Sequence, residues 1–384
     1  MTDPLINEQH QRLRKEVRSF AETEIKPVAA DLDERSEFST RLTGKMFDMG
    51  LLRMNLPGEW GGMGLDTLSY IIAVEELARV DGSQAATVAA HNSLGIAPIF
   101  KYGTEEQKKR FLPKLTDGKK LWAFGLTESN AGSDSNNTET LATLDSGKWT
   151  INGEKIYITN VSSVMSGGIT VQVVTGDRGQ GRKELSVILV DRDTRGYKTE
   201  TIQSKMMWRG ADTGRVTFDN VVVPEENILG QRGQGSRIML ATLDGGRLSI
   251  AAMGLGLAQG AFEMAMDYAS KRIQFGRPIR SFQVNSFKLA DMATKIELAR
   301  TLLYKACWLK DQEKPFGKEA AMAKLYTSEI AREIANEALQ IHGAHGLMKG
   351  NPIERFYRDQ RILEMGEGTS EIIRLVIARH LGIR

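Results

Sequence analysis

The stretch GSRIMLATLDGGRLSIAAMGLGLAQGAFEMAMDYASKR, residues 235–272, decides the fold expected for this chain. Its apolar residues recur at helical spacing and predict one very long helix. Roughly 36 helical residues span about 54 Å. Further helical patterns follow at 281–312, at 317–343 and at the end of the chain. Long helices joined by short connections predict a C-terminal bundle of the four-helix type.

The sequence before this stretch shows two different patterns of secondary structure. Residues 1–120 carry helical patterns, including one apolar face from Leu13 to Val28. In residues 121–232, short β-rich runs alternate with turn residues, and Asn152-Gly153 predicts a hairpin between two of them. We therefore expect a mostly helical α+β protein. It would have an N-terminal helical domain (1–120), an antiparallel β-barrel or sandwich (121–232) and a helical bundle (233–384).

Composition excludes several classes of protein. With 51 Lys and Arg against 48 Asp and Glu, the net charge of +3 gives no basis for nucleic-acid binding. The single cysteine, Cys307, excludes an internal disulfide framework and fits a reducing compartment. The N-terminal residues resemble neither a signal peptide nor a transit peptide, and no run of eighteen apolar residues predicts a membrane span. These features predict a cytoplasmic protein.

The sequence GEGTS, residues 366–370, places Glu367 between two glycines. Gly366 and Gly368 leave little bulk around the carboxylate, so a ligand can lie against it. Poor solvation would raise the pKa of this carboxyl and make it a better general base near neutral pH. An acidic residue at the start of a helix, favoured by the helix dipole, is the alternative interpretation.

Three other motifs allow two interpretations each. The loop TESNAGSDSNN, residues 127–137, offers hydroxyls and backbone N–H groups to a ligand, or is a plain polar loop. The glycines of GLGLAQG, residues 254–260, resemble a dinucleotide-binding loop but lie inside a helical pattern, which favours close helix packing. His342 and His345 are spaced like metal ligands, but no partner cluster accompanies them, so we expect no metal site.

Several stretches, in this order, resemble the acyl-CoA dehydrogenase family over essentially the full chain. They are LPGEWGGMG, YGTEEQKKRFLPKL, FGLTESNAGSD, NGEKIYITN, RGADTGRVTFDNVVVPEENILG, KRIQFGRPIRSFQ, QIHGAHG and GEGTSEIIRLVIAR. The resemblance implies a flavoprotein that oxidises acyl-CoA thioesters to 2,3-enoyl-CoA. It also implies a homotetramer, with FAD between the β-domain and the bundle, and an electron-transferring flavoprotein as electron acceptor.

The resemblance assigns roles to individual residues. Glu367 matches the base that removes the α-proton, while the β-hydride passes to flavin N5. Asp244 and Arg247 match CoA-binding positions, and Ser133 matches a position near both the flavin and the pantetheine. The remaining matches are to FAD-binding positions: Phe124, Leu126, Thr127, Gly132, Tyr157, Thr159, Arg272, Gln274, Phe275, Gln283, Gln340, Gly343, Thr369 and Glu371.

A comparison within the family supports Glu367 as the base. Some relatives carry the catalytic glutamate directly before the arginine that Arg247 matches, and their C-terminal loop lacks it. Here that position is Gly246, and the loop has Glu367.

The substrate is inferred from small residues. Residues 85–87 are Ala, Ala and Thr, so no arginine stands where glutaryl-CoA-type relatives hold a distal carboxylate. Gly366 stands where straight-chain enzymes often have tyrosine. We expect a short, branched, alicyclic or aryl-substituted acyl-CoA, with Gly366 and Gly368 beside it. His91 is expected either as a buried histidine or on the far wall of the acyl pocket.

Three other functions are compatible with parts of the sequence. An acyl-CoA oxidase would share the chemistry but pass electrons to oxygen, and such chains are usually much longer. A non-catalytic relative that serves in binding or assembly would be expected to lose the base. A metal-dependent hydrolase would need ligands that no motif supplies.

Overall fold

A computed structural model gives the structure of residues 5–383. The first part is helical, and the apolar face predicted there is buried at Val17, Phe20 and Ile25. Its helices are α1 (Glu8–Phe20), α2 (Ala29–Arg35), α3 (Thr40–Asp48), α4 (Thr67–Ala78), α5 (Gly82–Ala90), α6 (Ala97–Tyr102) and α7 (Glu105–Leu115). Short π-helical segments, Ala21–Ile25 and His91–Ile96, extend α1 and α5.

A seven-stranded sheet follows, in the order β1-β4-β2-β3-β7-β6, with β5 paired to β4. Its strands are β1 (Leu121–Gly125), β2 (Leu141–Asp145), β3 (Lys148–Thr159), β4 (Ser166–Asp177), β5 (Lys183–Asp191), β6 (Tyr197–Thr201) and β7 (Thr213–Pro224). The sheet is mixed rather than purely antiparallel, because β1 runs parallel to β4 and β2 meets β4 in parallel at one residue pair.

The hairpin predicted at Asn152-Gly153 is wrong. Strand β3 continues through both residues, and the turn between β2 and β3 lies at Ser146-Gly147, with φ of 50° and 74°. Gly153 instead sits at a bulge opposite β7 with φ of 139°. A Cβ there would lie 2.7 Å from the Cα of Thr140, so the glycine permits a close backbone approach. Asn-Gly signals permissive backbone, and a bulge requires that as much as a turn does.

The C-terminal part contains the long helix predicted from the sequence. Helix α8 spans Gly235–Lys271, 37 residues without interruption. It is followed by a small hairpin of β8 (Ile273–Gln274) and β9 (Arg277–Pro278), and by α9 (Gln283–Asp311), α10 (Gly317–His342), α11 (Pro352–Asp359) and α12 (Ser370–His380). Within residues 5–383, α8 alone is long and apolar enough to cross a membrane, but 72% of its apolar window is buried inside the chain. It is the core helix of the fold.

Glycines let other helices approach α8 closely. A Cβ on Gly256 would lie 2.3 Å from the carbonyl oxygen of Glu75, and one on Gly260 would lie 2.2 Å from that of Arg79. The helix-packing interpretation of GLGLAQG is therefore confirmed, because the motif is inside a helix and brings α4 against it. On another side, a Cβ on Gly254 would lie 2.9 Å from the carbonyl oxygen of Thr327 in α10.

Candidate active site

Glu367 lies in a tight turn that precedes α12. The helix begins at Ser370, and Thr369 is its N-cap, whose hydroxyl accepts a hydrogen bond from the backbone N–H of Ile372 at 3.3 Å. Glu367 therefore stands outside the helix, in left-handed conformation with φ of 54°, followed by Gly368 at 105°. Such a conformation is costly for a residue with a Cβ, so the glutamate is not an ordinary helix-start acid.

The Glu367 carboxylate points at a gap in the side of α8. Its Oε2 is buried and, among the described residues, has no hydrogen-bond partner. A Cβ built on Gly246 would lie only 2.0 Å from this oxygen. The missing side chain at Gly246 thus creates the space that the carboxylate occupies. Glutamates at 246 and 367 would compete for one volume, which gives a physical reason why one position is glycine.

Burial governs the protonation of Glu367. Loss of hydration raises the pKa of its carboxyl from 4.5 to about 7, and the positive charges of Arg247 and Lys324 oppose that rise. A carboxyl with such a pKa is ionised in a large fraction of molecules near neutral pH and still basic enough to accept a proton from carbon. The arrangement can therefore serve as a general base.

Arg247 is buried near Glu367 rather than exposed at the surface. It forms an ion pair with Asp244, with Nη1 and Oδ1 2.5 Å apart, and its Nε is buried without a partner in the described part of the chain. The Asp244 side chain is more open, with 38% of its surface exposed. This pair brings the two proposed CoA-binding residues together near Glu367.

Lys324 is a site residue that the sequence analysis missed. It is completely buried in α10, and its Nζ donates a hydrogen bond to the carbonyl oxygen of Gly368 at 2.6 Å. Burial lowers the pKa of this ammonium to about 8, while the negative charge of Glu367 opposes that change. A lysine inside the apolar pattern AAMAKLYT was the available signal, because buried lysines usually have a specific partner.

Residues of β3 hold the polar loop at residues 127–137 in place. Buried Lys155 on β3 lies 2.6 Å from Glu128 and also donates to the carbonyl oxygen of Leu126 at 3.2 Å. The backbone N–H of Ile156 donates to the carbonyl oxygen of Thr127 at 3.0 Å. These bonds fix both flanks of Thr127, while Gly132 and Ser133 of the same loop are exposed.

Beside this loop lies a surface that a flat ring can cover. Tyr157 follows Ile156 on β3, is 66% exposed and has φ of 61°. Thr159 is half-buried two residues further along, and Phe124 is buried in β1 of the same sheet. An exposed tyrosine next to an anchored hydroxyl-bearing loop has the composition that holds an aromatic group by stacking and hydrogen bonding.

The other predicted cofactor residues lie at exposed positions. Phe275, with 93% of its surface exposed, forms with Gly276 the two-residue turn of the β8–β9 hairpin at φ of 49° and 77°. The exposed positions are Arg272, Gln274, Gln283, Gln340, Gly343 and Glu371. They are available to a second molecule rather than packed in the chain's own core. Apart from Glu371, which lies in the first turn of α12 close to Glu367, these residues are on other parts of the chain.

In the structure His91 takes the first of its two expected roles, that of a buried histidine. Its ring is fully buried; Nδ1 accepts a hydrogen bond from the backbone N–H of Trp122 at 3.1 Å, and Nε2 is 3.2 Å from the carbonyl oxygen of Leu115. With both nitrogens satisfied, His91 has no polar atom free for a substrate. Burial lowers its pKa to about 4, so the ring is neutral near pH 7.

His342 and His345 both lie against Tyr268 and have no metal-binding partners among the described residues. The His342 ring stacks on Tyr268 with centroids 4.5 Å apart, and its Nδ1 is 2.7 Å from the carbonyl oxygen of Ala338. Within residues 5–383, no group of three or more His, Cys, Asp or Glu side chains is placed to hold a metal ion.

The chain belongs to the acyl-CoA dehydrogenase family. Models of the N-terminal, middle and C-terminal domains of acyl-CoA dehydrogenases match residues 7–119, 123–221 and 233–382. A probable acyl-CoA dehydrogenase of Bacillus subtilis is 46% identical over 376 residues, which cover 98% of each chain. Butyryl-CoA dehydrogenase from Megasphaera elsdenii superposes with a TM-score of 0.95 at 38% identity, over 100% of both chains. A glutaryl-CoA dehydrogenase from Mycobacterium smegmatis, in complex with FADH2, superposes with a TM-score of 0.94 at 29% identity, over 100% of this chain and 97% of the other.

The protein is therefore an FAD-dependent enzyme that dehydrogenates acyl-CoA. The residues present fit the cofactor, because an exposed aromatic surface and an anchored hydroxyl-bearing loop occupy the β-domain. The unpartnered carboxylate of Glu367 adds a group that no contact within the described chain accounts for.

Proposed function

We propose that Glu367 is the catalytic base and that the substrate is a short, branched, alicyclic or aryl-substituted acyl-CoA. The observation that carries the first part is the buried carboxylate oxygen, which has no partner in the described part of the chain and lies in the gap left by Gly246. Such an oxygen is unfavourable in a folded protein unless another molecule uses it.

The turn around Glu367 supplies two groups to the thioester. Its carboxylate takes the α-proton, and its backbone N–H has no acceptor among the described residues, so it can donate to the thioester carbonyl oxygen. That donation stabilises the negative charge that develops on the oxygen as the proton leaves. One residue of this turn therefore provides both the base and the oxyanion donor.

The cofactor-binding residues orient the other partner of the reaction. When bound, FAD supplies the acceptor for the hydride that leaves the β-carbon. Phe124, Leu126, Thr127 and Tyr157 would hold its ring on the β-domain, with Gly132, Ser133 and Thr159 beside them. Thr369 and Glu371, at the start of α12, would add contacts near the base.

The substrate proposal rests on the space beside the base. A Cβ on Gly366 would have its nearest neighbour, the carbonyl oxygen of Ile362, at 3.5 Å, so packing does not require glycine there. Its absent side chain leaves room for a branch or ring on the acyl group. In α5, Ala85, Ala86 and Thr87 are buried and uncharged, which disfavours a substrate with a distal carboxylate. The similarity to a butyryl-CoA dehydrogenase supports a short chain.

We further propose that the active form is a cytoplasmic homotetramer that passes electrons to an electron-transferring flavoprotein. Exposed apolar side chains on the β8–β9 hairpin and on α9 favour assembly, since such surface is normally covered: Ile273, Phe275, Val284, Phe287 and Leu298. Arg272, Gln274, Phe275 and Gln283 would reach the FAD of a neighbouring subunit from this surface, and Gln340 and Gly343 the adenine side.

Reduction of the flavin by different substrates tests the function. The purified protein is expected to be yellow, and anaerobic addition of butyryl-, isobutyryl- or cyclohexanecarboxyl-CoA should bleach its flavin band. A protein that cannot be loaded with FAD would refute the enzyme assignment. A preference for palmitoyl-CoA alone would refute only the substrate class.

Replacement of the base tests its assignment. Glu367→Gln keeps the shape of the side chain but removes the negative charge. This variant should retain FAD and bind acyl-CoA, yet bleach at least about 10³-fold more slowly, as expected when a general base is lost. Retained bleaching would place the base elsewhere.

A further inference from the structure

One face of α10 holds the turn that carries Glu367. Lys324, Ser328 and Arg332 are four residues apart, so their side chains leave the same face of the helix. Lys324 donates to the carbonyl oxygen of Gly368 at 2.6 Å, and Ser328 donates to that of Leu363 at 2.9 Å. Arg332 donates to the Glu364 carboxylate at 2.8 Å. The three bonds fix the chain on both sides of the base.

These bonds differ in how far they are from water. Lys324 and Ser328 are completely buried, whereas 54% of the Arg332 side chain is exposed. Exposed ion pairs contribute little, while a buried ammonium must keep its partner. Lys324 is therefore the strongest of the three contacts, and it holds the carbonyl group of Gly368, the residue directly after Glu367.

The charge of Lys324 also acts on the base itself. Titratable groups reach this region from five elements. They are Tyr70 from α4, Arg247 from α8, Lys324 from α10, Glu364 from the short helix Gln360–Glu364 and Glu371 from α12. Of these, Arg247 and Lys324 lower the pKa of the Glu367 carboxyl. Arg247 is paired with Asp244, whereas the one hydrogen bond that the Lys324 ammonium makes within residues 5–383 is to an uncharged carbonyl oxygen. With no carboxylate hydrogen-bonded to it in the described chain, its charge acts on Glu367 more than on Glu364 or Glu371.

We propose that Lys324 is a positioning residue for the base. Lys324 holds the Gly368 carbonyl, so that the Glu367 turn keeps its left-handed conformation, and its positive charge favours the ionised form of the Glu367 carboxylate. The inference rests on the proposed role of Glu367. It differs from a purely structural role because it makes the ionisation of the base depend on a residue of another helix.

The pH dependence of flavin bleaching tests this inference. With butyryl-CoA in anaerobic single-turnover experiments, Lys324→Met should move the acidic limb of the rate profile upward by about 1 pH unit, because an opposing charge has been removed. The rate above the limb should also fall, since the turn is no longer held. Lys324→Arg keeps the charge and should bring the limb back towards its original position.

Lys205→Met is a matched control. This lysine also has a lowered pKa of about 8 and donates to a backbone carbonyl, that of Ala211, but no interaction links it to Glu367. It should lower the thermal midpoint without moving the limb.

Two outcomes overturn the inference. The first is that Lys324→Met lowers the thermal midpoint but leaves the acidic limb of the pH–rate profile unchanged. The second is that Lys205→Met shifts this limb by as much as Lys324→Met does. If Lys324→Met does not fold, Lys324→Gln takes its place, and an unmoved limb in that variant has the same meaning. Failure of the unsubstituted enzyme to bleach would instead refute the proposed function.

Discussion

Replacing Gly246 by alanine should displace the base and little else. The new Cβ would lie 2.0 Å from Glu367 Oε2, whereas ordinary van der Waals contact begins at 3.4 Å. The carboxylate must therefore retreat by about 1.4 Å, the difference between these distances. A misplacement of about 1 Å at a reacting group can lower a rate about 10²-fold, so Gly246→Ala should slow flavin reduction by at least that factor.

The neighbouring glycine provides the control. Gly245 lies on the same helix, and a Cβ there would find only the Lys310 Nζ, at 3.9 Å. Both substitutions remove a glycine from a helix interior, which by itself stabilises by about 0.5–1 kcal/mol. Gly245→Ala should therefore keep its activity and gain stability, because nothing is displaced.

Stopped-flow measurement of flavin reduction separates the two variants. FAD content and the dissociation constant for an unreactive acyl-CoA analogue should be nearly unchanged in both. Equal rates for Gly246→Ala and Gly245→Ala would refute the view that Glu367 works from the space beside Gly246. A loss of FAD in Gly246→Ala would show that the clash is relieved by moving the helix instead.

Three further predictions concern the same site and its supports. The pKa of Glu367 is raised from 4.5 to about 7, so the folded state binds this proton more tightly than the unfolded state does and loses stability as pH rises between those values. Glu367→Gln should remove up to about 3 kcal/mol of that loss. The variant should therefore have a higher thermal midpoint than the unsubstituted protein at pH 8 but not at pH 4. Gly366→Leu should lower kcat/KM for isobutyryl-CoA more than for butyryl-CoA, because it fills the space beside the branch; equal losses would contradict the pocket assignment. His91→Leu leaves the Trp122 N–H and the Leu115 carbonyl unpaired, so it should destabilise the protein by about 2–4 kcal/mol while the order of substrate preference stays the same.

Local patterns were enough to predict the long helices and the environment of several site residues. Helix α8 followed from its periodicity, and the packing role of its glycines followed from their position inside that pattern. The hairpin at Asn152-Gly153 was wrong because the signal reports only a permissive backbone, and pairing with β7 decided that a bulge forms there. The parallel pairing of β1 with β4 also depends on contacts that no local pattern contains.

The site shows the same difference between features that follow from local sequence and features that depend on tertiary contacts. The glycines around Glu367 indicated an accessible carboxylate, and Gly246 pointed to the absence of a second one. A lysine within the apolar pattern AAMAKLYT indicated a buried ammonium, but its partner and the left-handed turn could not be predicted, because they arise where α8, α10 and the C-terminal turn meet. His91 was open between two roles until the structure gave both ring nitrogens backbone partners.

The backbone conformation of Glu367 has a consequence for which substitutions this sequence would accumulate during evolution. A left-handed glutamate with an unpartnered buried oxygen is a poor choice for folding, and glycine or asparagine would suit φ of 54° better. A chain freed from catalysis would therefore gain stability by losing this side chain, and random substitution would favour that loss. If Glu367 is the base, as proposed, it stands at a position where selection for chemistry opposes selection for stability.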